Sequence, residues 1–244
     1  MSPVRTLEVR DLRGGYVPGV DILAGVSIAA AANSVTLLIG PNGAGKSTLL
    51  RAIFGILQPS AGRVIVRGED MTGASSRALK AAGIGYVTQE INSFPQLTVE
   101  ENLLMGAWVY RRDRRRLRRQ LEHVYAMFPV LKDRRGHSAG SLSGGQGRML
   151  AIARELMTQP SLLLIDEPTV GLAPNLVAQV YGLLATARSA TGAAILLVEQ
   201  NVEEALPFAD YLYLLNLGRV KAEGPGREFD NARVRALVQE CLLG

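Results

Sequence analysis

The chain has 244 residues, a formal net charge of +5 and a hydrophobic content of 48%. This length and composition predict one substantial core, or a core with a smaller lobe, and exclude a disordered or fibrous chain. No apolar run approaches the roughly 18 residues that cross a bilayer, and the first residues carry charges where a signal peptide is apolar. The single cysteine, Cys241, cannot form an internal disulfide. We therefore expect a cytosolic protein.

Short strand-like runs alternate with longer helical ones, which is typical of a largely parallel sheet with helical crossovers. The run SVTLLIG (34–40) predicts a buried strand that leads through a glycine turn into a helix near Lys46. The run GRVIVRG (62–68) alternates apolar and polar residues and predicts a half-exposed strand in an antiparallel pair. GIGYVTQ (83–89) predicts a further strand, with Gln89 at its end.

From Thr98 to about Thr158 the pattern is helical and strand signals are absent. Thr98 and Glu101 have capping-box spacing, and a basic helix, a loop over 129–140 and a helix after Ser143 are expected to follow. Strands return at SLLLIDEP (161–168) and AAILLVEQ (193–200). We therefore predict an α/β fold in which residues 1–89 and 159–244 form the core, with a mostly parallel sheet and an N-terminal antiparallel β portion, and residues 90–158 form an inserted helical subdomain.

A strongly basic run, RRDRRRLRR, occupies residues 111–119 and contains seven arginines. A solvated helix face explains such a run. Contact with anionic lipid headgroups is a second explanation, and nucleic acid is a third, which the lack of interleaved aromatic residues disfavours. The run alone does not decide between them.

A phosphate-binding loop is predicted at GPNGAGKST (40–48), which matches G-x-x-x-x-G-K-[ST] between a strand and a helix. Glycines let the backbone wrap an anion so that successive N–H groups point at phosphates. We expect Lys46 to reach the terminal phosphate, Ser47 to offer its hydroxyl to Mg²⁺ and Thr48 to extend the anion site. The alternative, a glycine turn that only caps a helix, leaves the Lys-Ser pair unexplained. The core is thus a predicted P-loop NTPase, and its nucleotide-binding residues are Gly40, Pro41, Asn42, Gly43, Ala44, Gly45, Lys46, Ser47 and Thr48.

Two carboxylates, Asp166 and Glu167, follow the apolar run LLLI at the end of a predicted strand. At the carboxyl edge of a parallel sheet they would converge on the nucleotide crevice. We expect Asp166 to hold Mg²⁺, through water, because Mg²⁺ prefers oxygen ligands and keeps part of its hydration shell. Glu167 is the predicted base for a water that attacks the γ-phosphate. The alternative is a solvated strand end.

A second glycine pair, in LSGGQ (142–146), opens another helix, and Ser143 is placed to cap it. A helix start of this kind is a second anion site, although simple capping is the commoner use. With the LSGGQ motif intact, the sequence resembles the ATP-binding subunits of ABC transporters from Leu7 to about Phe229. The resemblance implies that this loop in one copy covers the ATP on the P-loop of another, so that ATP closes a dimer and hydrolysis opens it. The loop residues that would contact ATP are Ser143, Gly144, Gly145 and Gln146.

Further roles follow from the same resemblance. Tyr16, in LRGGYVPG, is at the position where the family stacks an aromatic ring on adenine, and Gln89 matches the Q-loop glutamine that contacts the metal or the attacking water. The helical lobe would dock on a membrane permease. The implied catalytic residues are Glu167, Gln89, Gln200 and Lys46, and the implied metal ligands are Ser47, Gln89 and Asp166.

Two departures from the common family pattern narrow the branch. Gln200, in VEQN, replaces a frequent histidine, and Ala173, in EPTVGLAPN, replaces a frequent aspartate. A glutamine can donate a hydrogen bond to phosphate or water but cannot become cationic. Together with FPQLTVEENLLMGA, these departures resemble the subunits of branched-chain amino acid importers and their urea or short-amide relatives.

The resemblance implies ATP and Mg²⁺ as ligands and a peripheral place on the cytoplasmic face of the inner (cell) membrane. Its implied partners are permease subunits, a second ATP-binding subunit in a hetero- or homodimer and, indirectly, a periplasmic solute-binding protein. Nucleic acid is not expected. Rival interpretations are a soluble ABC ATPase that acts on nucleic acid or ribosomes, an exporter subunit and a scaffold without turnover. The single nucleotide site argues against the soluble ATPase, and the VEQN sequence argues against the exporter subunit. The presence of Lys46, Asp166 and Glu167 together argues against the scaffold without turnover.

Overall fold

The computed structural model describes residues 4–90 and 92–243. Residues 1–3, 91 and 244, which the predicted core and lobe include, lie outside the described residues. The strands are β1 (Arg5–Gly14), β2 (Leu23–Ala31), β3 (Val35–Ile39), β4 (Ala61–Val66), β5 (Glu69–Asp70), β6 (Ile84–Val87), β7 (Leu162–Asp166), β8 (Ala194–Val198), β9 (Tyr211–Asn216) and β10 (Arg219–Pro225). The α-helices are α1 (Lys46–Ile53), α2 (Ser76–Ala81), α3 (Val99–Gly106), α4 (Arg114–Met127), α5 (Pro129–Asp133), α6 (Gly144–Leu156), α7 (Pro174–Thr191), α8 (Val202–Ala205) and α9 (Asn231–Leu243).

Two sheets form the β structure. The first has the order β2-β1-β4-β5 and is antiparallel throughout, which confirms the N-terminal antiparallel portion and the pairing of the 62–68 run. The second has the order β10-β9-β3-β8-β7-β6, and its neighbours are parallel except for the β9–β10 pair. The predicted α/β class with a mostly parallel sheet is therefore confirmed.

Every residue of strand β3 is buried, and all but Thr36 are apolar, because both faces of the strand are covered. Leu37 and Ile39 join the core that includes residues of α3 to α7. Leu38, between them in sequence, points the other way into the core formed with α1 and the antiparallel sheet. Successive side chains of a strand alternate between faces, so a central parallel strand that is covered on both faces is a nearly continuous apolar run.

The carboxyl ends of β3, β7 and β8 meet at one edge of the parallel sheet. Leu38 pairs with Val198, and Val198 pairs on its other side with Asp166. The residues that follow each strand, namely the loop after Ile39, Glu167 and Gln200, therefore emerge at the same edge. This is the position where open α/β sheets bind ligands.

The region from Thr98 to Thr158 is helical in the described residues, as predicted, and its first helix begins with the expected capping box. Glu101 N donates to Thr98 Oγ1 (3.2 Å), and Thr98 N donates to Glu101 Oε2 (2.8 Å). These helices share a core with one face of the parallel sheet. The predicted boundaries of the helical subdomain, 90–158, remain a prediction.

The prediction of a loop over 129–140 is wrong at both ends. Pro129 begins the short helix α5, and residues Ala139–Ser141 form a 3₁₀ turn. Proline suits the first helical position because its fixed φ is already helical and its missing N–H has no helical partner there. The fully buried Leu131 then fastens this turn to the core. The strand expected over 83–89 also ends early, at Val87, so that Gln89 lies in the loop beyond it.

Candidate active site

The loop between β3 and α1 wraps around the ammonium group of its own lysine. Lys46 Nζ donates hydrogen bonds to the carbonyl oxygens of Gly40 (2.8 Å) and Pro41 (3.2 Å). Gly45 has φ +102°, and a Cβ on Gly40 would lie 2.1 Å from the carbonyl oxygen of Leu215. Side chains are therefore excluded at both glycines. The curled loop presents the first N–H groups of α1 at the cleft, an arrangement suited to phosphate.

Asp166 ends β7 beneath this loop and is almost completely buried. Its Oδ1 accepts a hydrogen bond from the hydroxyl of Ser47 (3.0 Å), and its Oδ2 accepts one from the hydroxyl of Tyr86 (3.3 Å). The residue that follows the P-loop lysine and the carboxylate at the end of β7 are thus in direct contact. Two of the three predicted metal ligands are together in the structure.

Glu167 is held from two sides by side-chain amides. Gln89 Nε2 donates to Oε2 (2.9 Å), and Gln200 Nε2 donates to Oε1 (2.9 Å). The backbone N–H of Glu167 bonds to the carbonyl oxygen of Val198 (2.9 Å), and its φ is +46°, a conformation uncommon outside glycine. Three of the predicted catalytic residues, Glu167, Gln89 and Gln200, therefore form one hydrogen-bonded group.

These side chains line a cleft of about 340 Å³ above the phosphate loop. Its lining residues are Ile22, Asn42, Gly43, Gly45, Lys46, Ser47, Thr48, Gln89, Glu167 and Gln200. Three predicted loop residues are outside this lining: Gly40 and Pro41, which bind Lys46 through their carbonyl oxygens, and Ala44, whose side chain is buried in the core.

The side chains at the cleft fit a hydrated Mg²⁺ ion. The hydroxyl of Ser47, the carboxylate of Asp166 and the amide oxygen of Gln89 are all oxygen donors, the type that Mg²⁺ prefers. No group of three or more His, Cys, Asp or Glu residues that could hold a metal occurs within 4–90 and 92–243. The three oxygen ligands of Ser47, Asp166 and Gln89 suit Mg²⁺, because this ion keeps water and substrate phosphate among its ligands. They suit less well a metal whose ligands all come from the protein.

Burial dominates the electrostatics of the cleft. It lowers the pKa of the Lys46 ammonium, while the negative charges of Glu167 and Asp166 act in the opposite direction. It raises the pKa of the Asp166 carboxyl, against the hydrogen bond from Ser47, and the neighbouring Glu167 charge raises it further. The two neighbouring carboxylates repel each other, so positive charge placed beside them, as on Lys46, is stabilising.

The LSGGQ loop is capped as the sequence predicts. Ser143 Oγ accepts from Gln146 N (3.3 Å), and Gln146 Oε1 accepts from Ser143 N (3.2 Å), a complete capping box at the start of α6. Ser143 and Gly144 are exposed. None of the described residues that line the cleft above the P-loop comes from 142–146. The loop of this chain therefore does not cover the chain's own cleft.

Comparison with known proteins identifies the family. The profile of the ABC transporter family matches residues 23–170, a range that contains the P-loop, Gln89, LSGGQ and the Asp166–Glu167 pair. The chain belongs to the ABC transporter family. Membership implies that this ABC subunit binds and hydrolyses ATP, the chemistry for which the cleft is built.

Curated relatives and solved structures agree with this assignment. The high-affinity branched-chain amino acid transport ATP-binding protein BraG of Pseudomonas aeruginosa is 39% identical over 90% of this chain and 94% of its own length. The probable branched-chain amino acid transport ATP-binding protein LivF of Archaeoglobus fulgidus is 38% identical over 91% and 93%. A crystal structure of an ATP-binding cassette of an ABC transporter in its ADP conformation superposes with a TM-score of 0.85 at 30% identity, covering 98% of this chain and 99% of that one.

Tyr16 is not among the residues that line the cleft of this ABC subunit. It is 51% exposed, and its hydroxyl accepts a hydrogen bond from Arg51 Nη1 (2.9 Å) at the end of α1. The guanidinium of Arg51 lies 5.9 Å from the centroid of its ring. The adenine role of Tyr16 remains a prediction.

Two buried charged residues next to the site were missed in the sequence. Arg148, in α6, donates to the carbonyl oxygens of Thr88 (3.0 Å) and Gln89 (2.7 Å). Glu199 accepts from the hydroxyl of Thr169 (2.8 Å) and from the backbone N–H of Gln200 (3.2 Å). Both lie next to a glutamine that holds Glu167. The only sequence signal for Arg148 is a charge among the apolar residues of GRMLAIA, and for Glu199 a carboxylate at the end of an apolar strand.

Proposed function

We propose that this ABC subunit hydrolyses ATP to drive the import of branched-chain amino acids. The observation that carries the catalytic part is Glu167, held by Gln89 and Gln200 at the cleft above the P-loop. The solute is supported by the similarity to BraG and LivF, which extends over nine-tenths of the chain. The proposal joins a catalytic site in this chain to a solute that its relatives are named for.

The residues divide the chemistry between them. Lys46 and the N–H groups of the loop bind the phosphates of ATP. Ser47, Asp166 and Gln89 would hold Mg²⁺, which would supply positive charge to the phosphate oxygens when bound. Glu167 accepts the proton of the attacking water. Gln200 orients the carboxylate of Glu167 and remains neutral, so Lys46 and the LSGGQ loop of the facing subunit bind the developing negative charge, to which a bound Mg²⁺ would add its own positive charge.

We infer that a second subunit completes the site. The exposed residues Ser143 and Gly144 begin helix α6, whose N-terminal end favours an anion. Placed over the cleft of a facing subunit, this loop would enclose the terminal phosphate, so that ATP holds two subunits together and hydrolysis releases them. The facing subunit is a different ATP-binding chain in the cell or a second copy of this one.

The other assignments depend on the same proposal. Residues 90–158 form the lobe that docks on permease subunits, and residues 1–89 with 159–244 form the nucleotide-binding core. The subunit works at the cytoplasmic face of the cell membrane and serves a periplasmic solute-binding protein indirectly. No helix within 4–90 and 92–243 has the length and apolar character to cross a bilayer.

Uptake measurements test the function. In cells that lack the gene, uptake of labelled leucine should fall and should return with the wild-type chain but not with Glu167→Gln. Urea uptake, measured in parallel, should be unaffected. Loss of urea uptake with normal leucine uptake would assign the subunit to an importer of urea or short amides. The proposal that the subunit hydrolyses ATP would still stand. Normal uptake of both solutes would exclude the importer function.

A further inference from the structure

The basic run at 111–119 forms one exposed surface. We define the arginine face as Arg111, Arg112, Arg114, Arg115, Arg118 and Arg119. All six are exposed, and the last four project from the outer side of α4. The buried residues of α4 are Gln120, Leu121, Val124 and Tyr125, which follow these arginines along the helix. The first turns of the helix therefore present positive charge to solvent, and its later turns pack against the protein.

The charge of the arginine face is not neutralised by the protein. Among residues 4–90 and 92–243, none of its six side chains lies within ion-pair distance of a carboxylate. The two acids of the segment are engaged elsewhere. Asp113 accepts from Arg116 N (2.9 Å) as the cap of α4, and Glu122 lies 3.5 Å from Lys132 Nζ. A solvated helix face usually mixes both signs in similar numbers, whereas here six arginines lie beside only two acids, Asp113 and Glu122, and neither acid pairs with them.

The neighbouring aromatic rings are already covered by cations. The guanidinium of Arg116 lies 3.5 Å from the ring centroid of Tyr110. Trp108 has the guanidinium groups of Arg77 and Arg111 at 5.2 and 5.3 Å from its centroid. Free aromatic rings are what single-stranded nucleic acid stacks on, and here they are occupied. The surface therefore offers point charges on a convex helix and lacks a stacking platform.

We propose that the arginine face binds the anionic headgroups of a phospholipid surface. Six guanidinium groups without a carboxylate partner, four of them on α4, match the type of basic cluster that is attracted to acidic lipids, which need no pocket. The forked N–H donors of arginine suit the phosphate oxygens of headgroups. This proposal does not depend on which solute is transported, because the surface lies outside the nucleotide cleft.

Vesicle binding by the full-length chain tests the proposal. Vesicles contain phosphatidylcholine alone or with about 30% phosphatidylglycerol, the anionic lipid. The wild type should bind the anionic vesicles and lose binding at high salt. The variant R114Q/R115Q/R118Q/R119Q should bind them at least about tenfold more weakly. The matched control R67Q/R219Q/K221Q/R227Q removes the same charge from exposed positions elsewhere and should stay within about twofold of the wild type.

Each other outcome overturns the proposal. An equal loss in both variants would show that net charge alone attracts the chain. Equal binding to neutral vesicles would show apolar adsorption. Release from anionic vesicles by a single-stranded RNA at equal phosphate concentration would assign the face to nucleic acid. Wild-type binding by R114Q/R115Q/R118Q/R119Q would exclude the arginine face as the binding surface. Melting temperature and ATP hydrolysis, measured in both variants, serve as the control for folding and should be unchanged.

Discussion

Gln200 donates a hydrogen bond from its side-chain amide to Oε1 of Glu167 across 2.9 Å and thereby ties the end of β8 to the end of β7. Gln89 makes the equivalent bond to Oε2, so both carboxylate oxygens have a neutral donor. An amide orients the carboxylate without placing a positive charge beside it. Gln200 therefore contacts the predicted base, Glu167, through a neutral group.

Removal of either glutamine should slow hydrolysis. Gln200→Ala and Gln89→Ala each free one oxygen of Glu167, and each should lower kcat about tenfold, the effect of one hydrogen bond to a charged group. Because both amides act on one carboxylate, the double variant should lose less than the product of the single effects. Steady-state ATPase rates at saturating ATP give the comparison, with the exposed Gln239→Ala as control. Strictly multiplicative losses would show that the two amides act independently.

Removal of the base should separate binding from turnover. Glu167→Gln keeps the size of the side chain but cannot take a proton from water, so hydrolysis should fall at least about a hundredfold. ATP affinity should change little, and size-exclusion chromatography with ATP should show a trapped dimer. The exposed Glu240→Gln is the matched control. Wild-type turnover in E167Q would show that Glu167 is not the base that accepts the proton of the attacking water.

The elements that position the site follow from local sequence rules. Strand β3 is buried on both faces because four of its five residues, all but Thr36, are apolar, and Ser143 caps α6 because its spacing to Gln146 makes a capping box. The carboxylate pair was placed correctly because Asp166 directly follows an apolar strand. Each of these features is decided within a few residues along the chain.

Contacts between distant segments could not be predicted in the same way. Arg148 is 60 residues from Thr88, and their contact depends on how α6 packs against β6. The positive φ of Glu167 depends on its pairing with Val198 across the sheet edge. Hydrophobic pattern fixes which face of an element is buried, but it does not specify which carbonyl a buried guanidinium will bind.

Arg148 should act as a positioning residue for Gln89. Arg148→Met leaves the carbonyl oxygens of Thr88 and Gln89 without their donor, so the loop should loosen and kcat should fall more than KM rises. The free energy of unfolding should drop by about 1–3 kcal/mol, the cost of unpaired buried groups. Arg148→Lys, which keeps donors, should recover part of kcat.

The control for this effect is Arg188→Met. Arg188 Nη1 donates to Asp210 Oδ2 (2.9 Å), just before β9 and therefore at the opposite edge of the parallel sheet from the cleft. Its loss should lower the free energy of unfolding without a selective effect on kcat. Equal losses of kcat in both variants, measured well below their melting temperatures, would reduce Arg148 to a structural residue.

Asp166 should make the stability of the nucleotide-free chain depend on pH. Burial raises the pKa of this carboxyl above its ordinary 3.8, so the folded state holds the proton more tightly than the unfolded state. The free energy of unfolding contributed by this group therefore falls as pH rises from about 4 through the raised pKa. Asp166→Asn lacks this titration, and its melting temperature relative to the wild type should increase between about pH 4 and pH 7.

Thermal unfolding in EDTA across this range measures the difference, and the ATPase of D166N should be lost at every pH. Burial also raises the pKa of Glu199, but that residue is present in both proteins and cancels in the comparison. Parallel melting curves at all pH values would contradict the assigned cause.

Aspartate at Ser143 should block turnover and leave the chain folded. Aspartate caps helices as well as serine does, so Ser143→Asp keeps the start of α6, but its charge repels the terminal phosphate of a facing subunit. Ser75 caps α2 by accepting from Ala78 N (3.3 Å), so Ser75→Asp is the same change at a helix start away from the cleft. ATP binding should survive in both variants, and turnover should fail only in S143D.

Mixing two inactive chains tests whether the site is divided between subunits. Lys46→Ala spoils the P-loop and leaves the LSGGQ loop intact, whereas Ser143→Asp does the reverse. In a mixed dimer, the intact P-loop of the S143D chain faces the intact LSGGQ loop of the K46A chain. One of the two ATP sites therefore has both of its parts unaltered. ATPase activity should therefore reappear on mixing, up to about a quarter of the wild-type rate when half of the dimers are mixed and each has one working site. If each site were built from a single chain, every site in every dimer would carry a defect, and the mixture would be as inactive as its components.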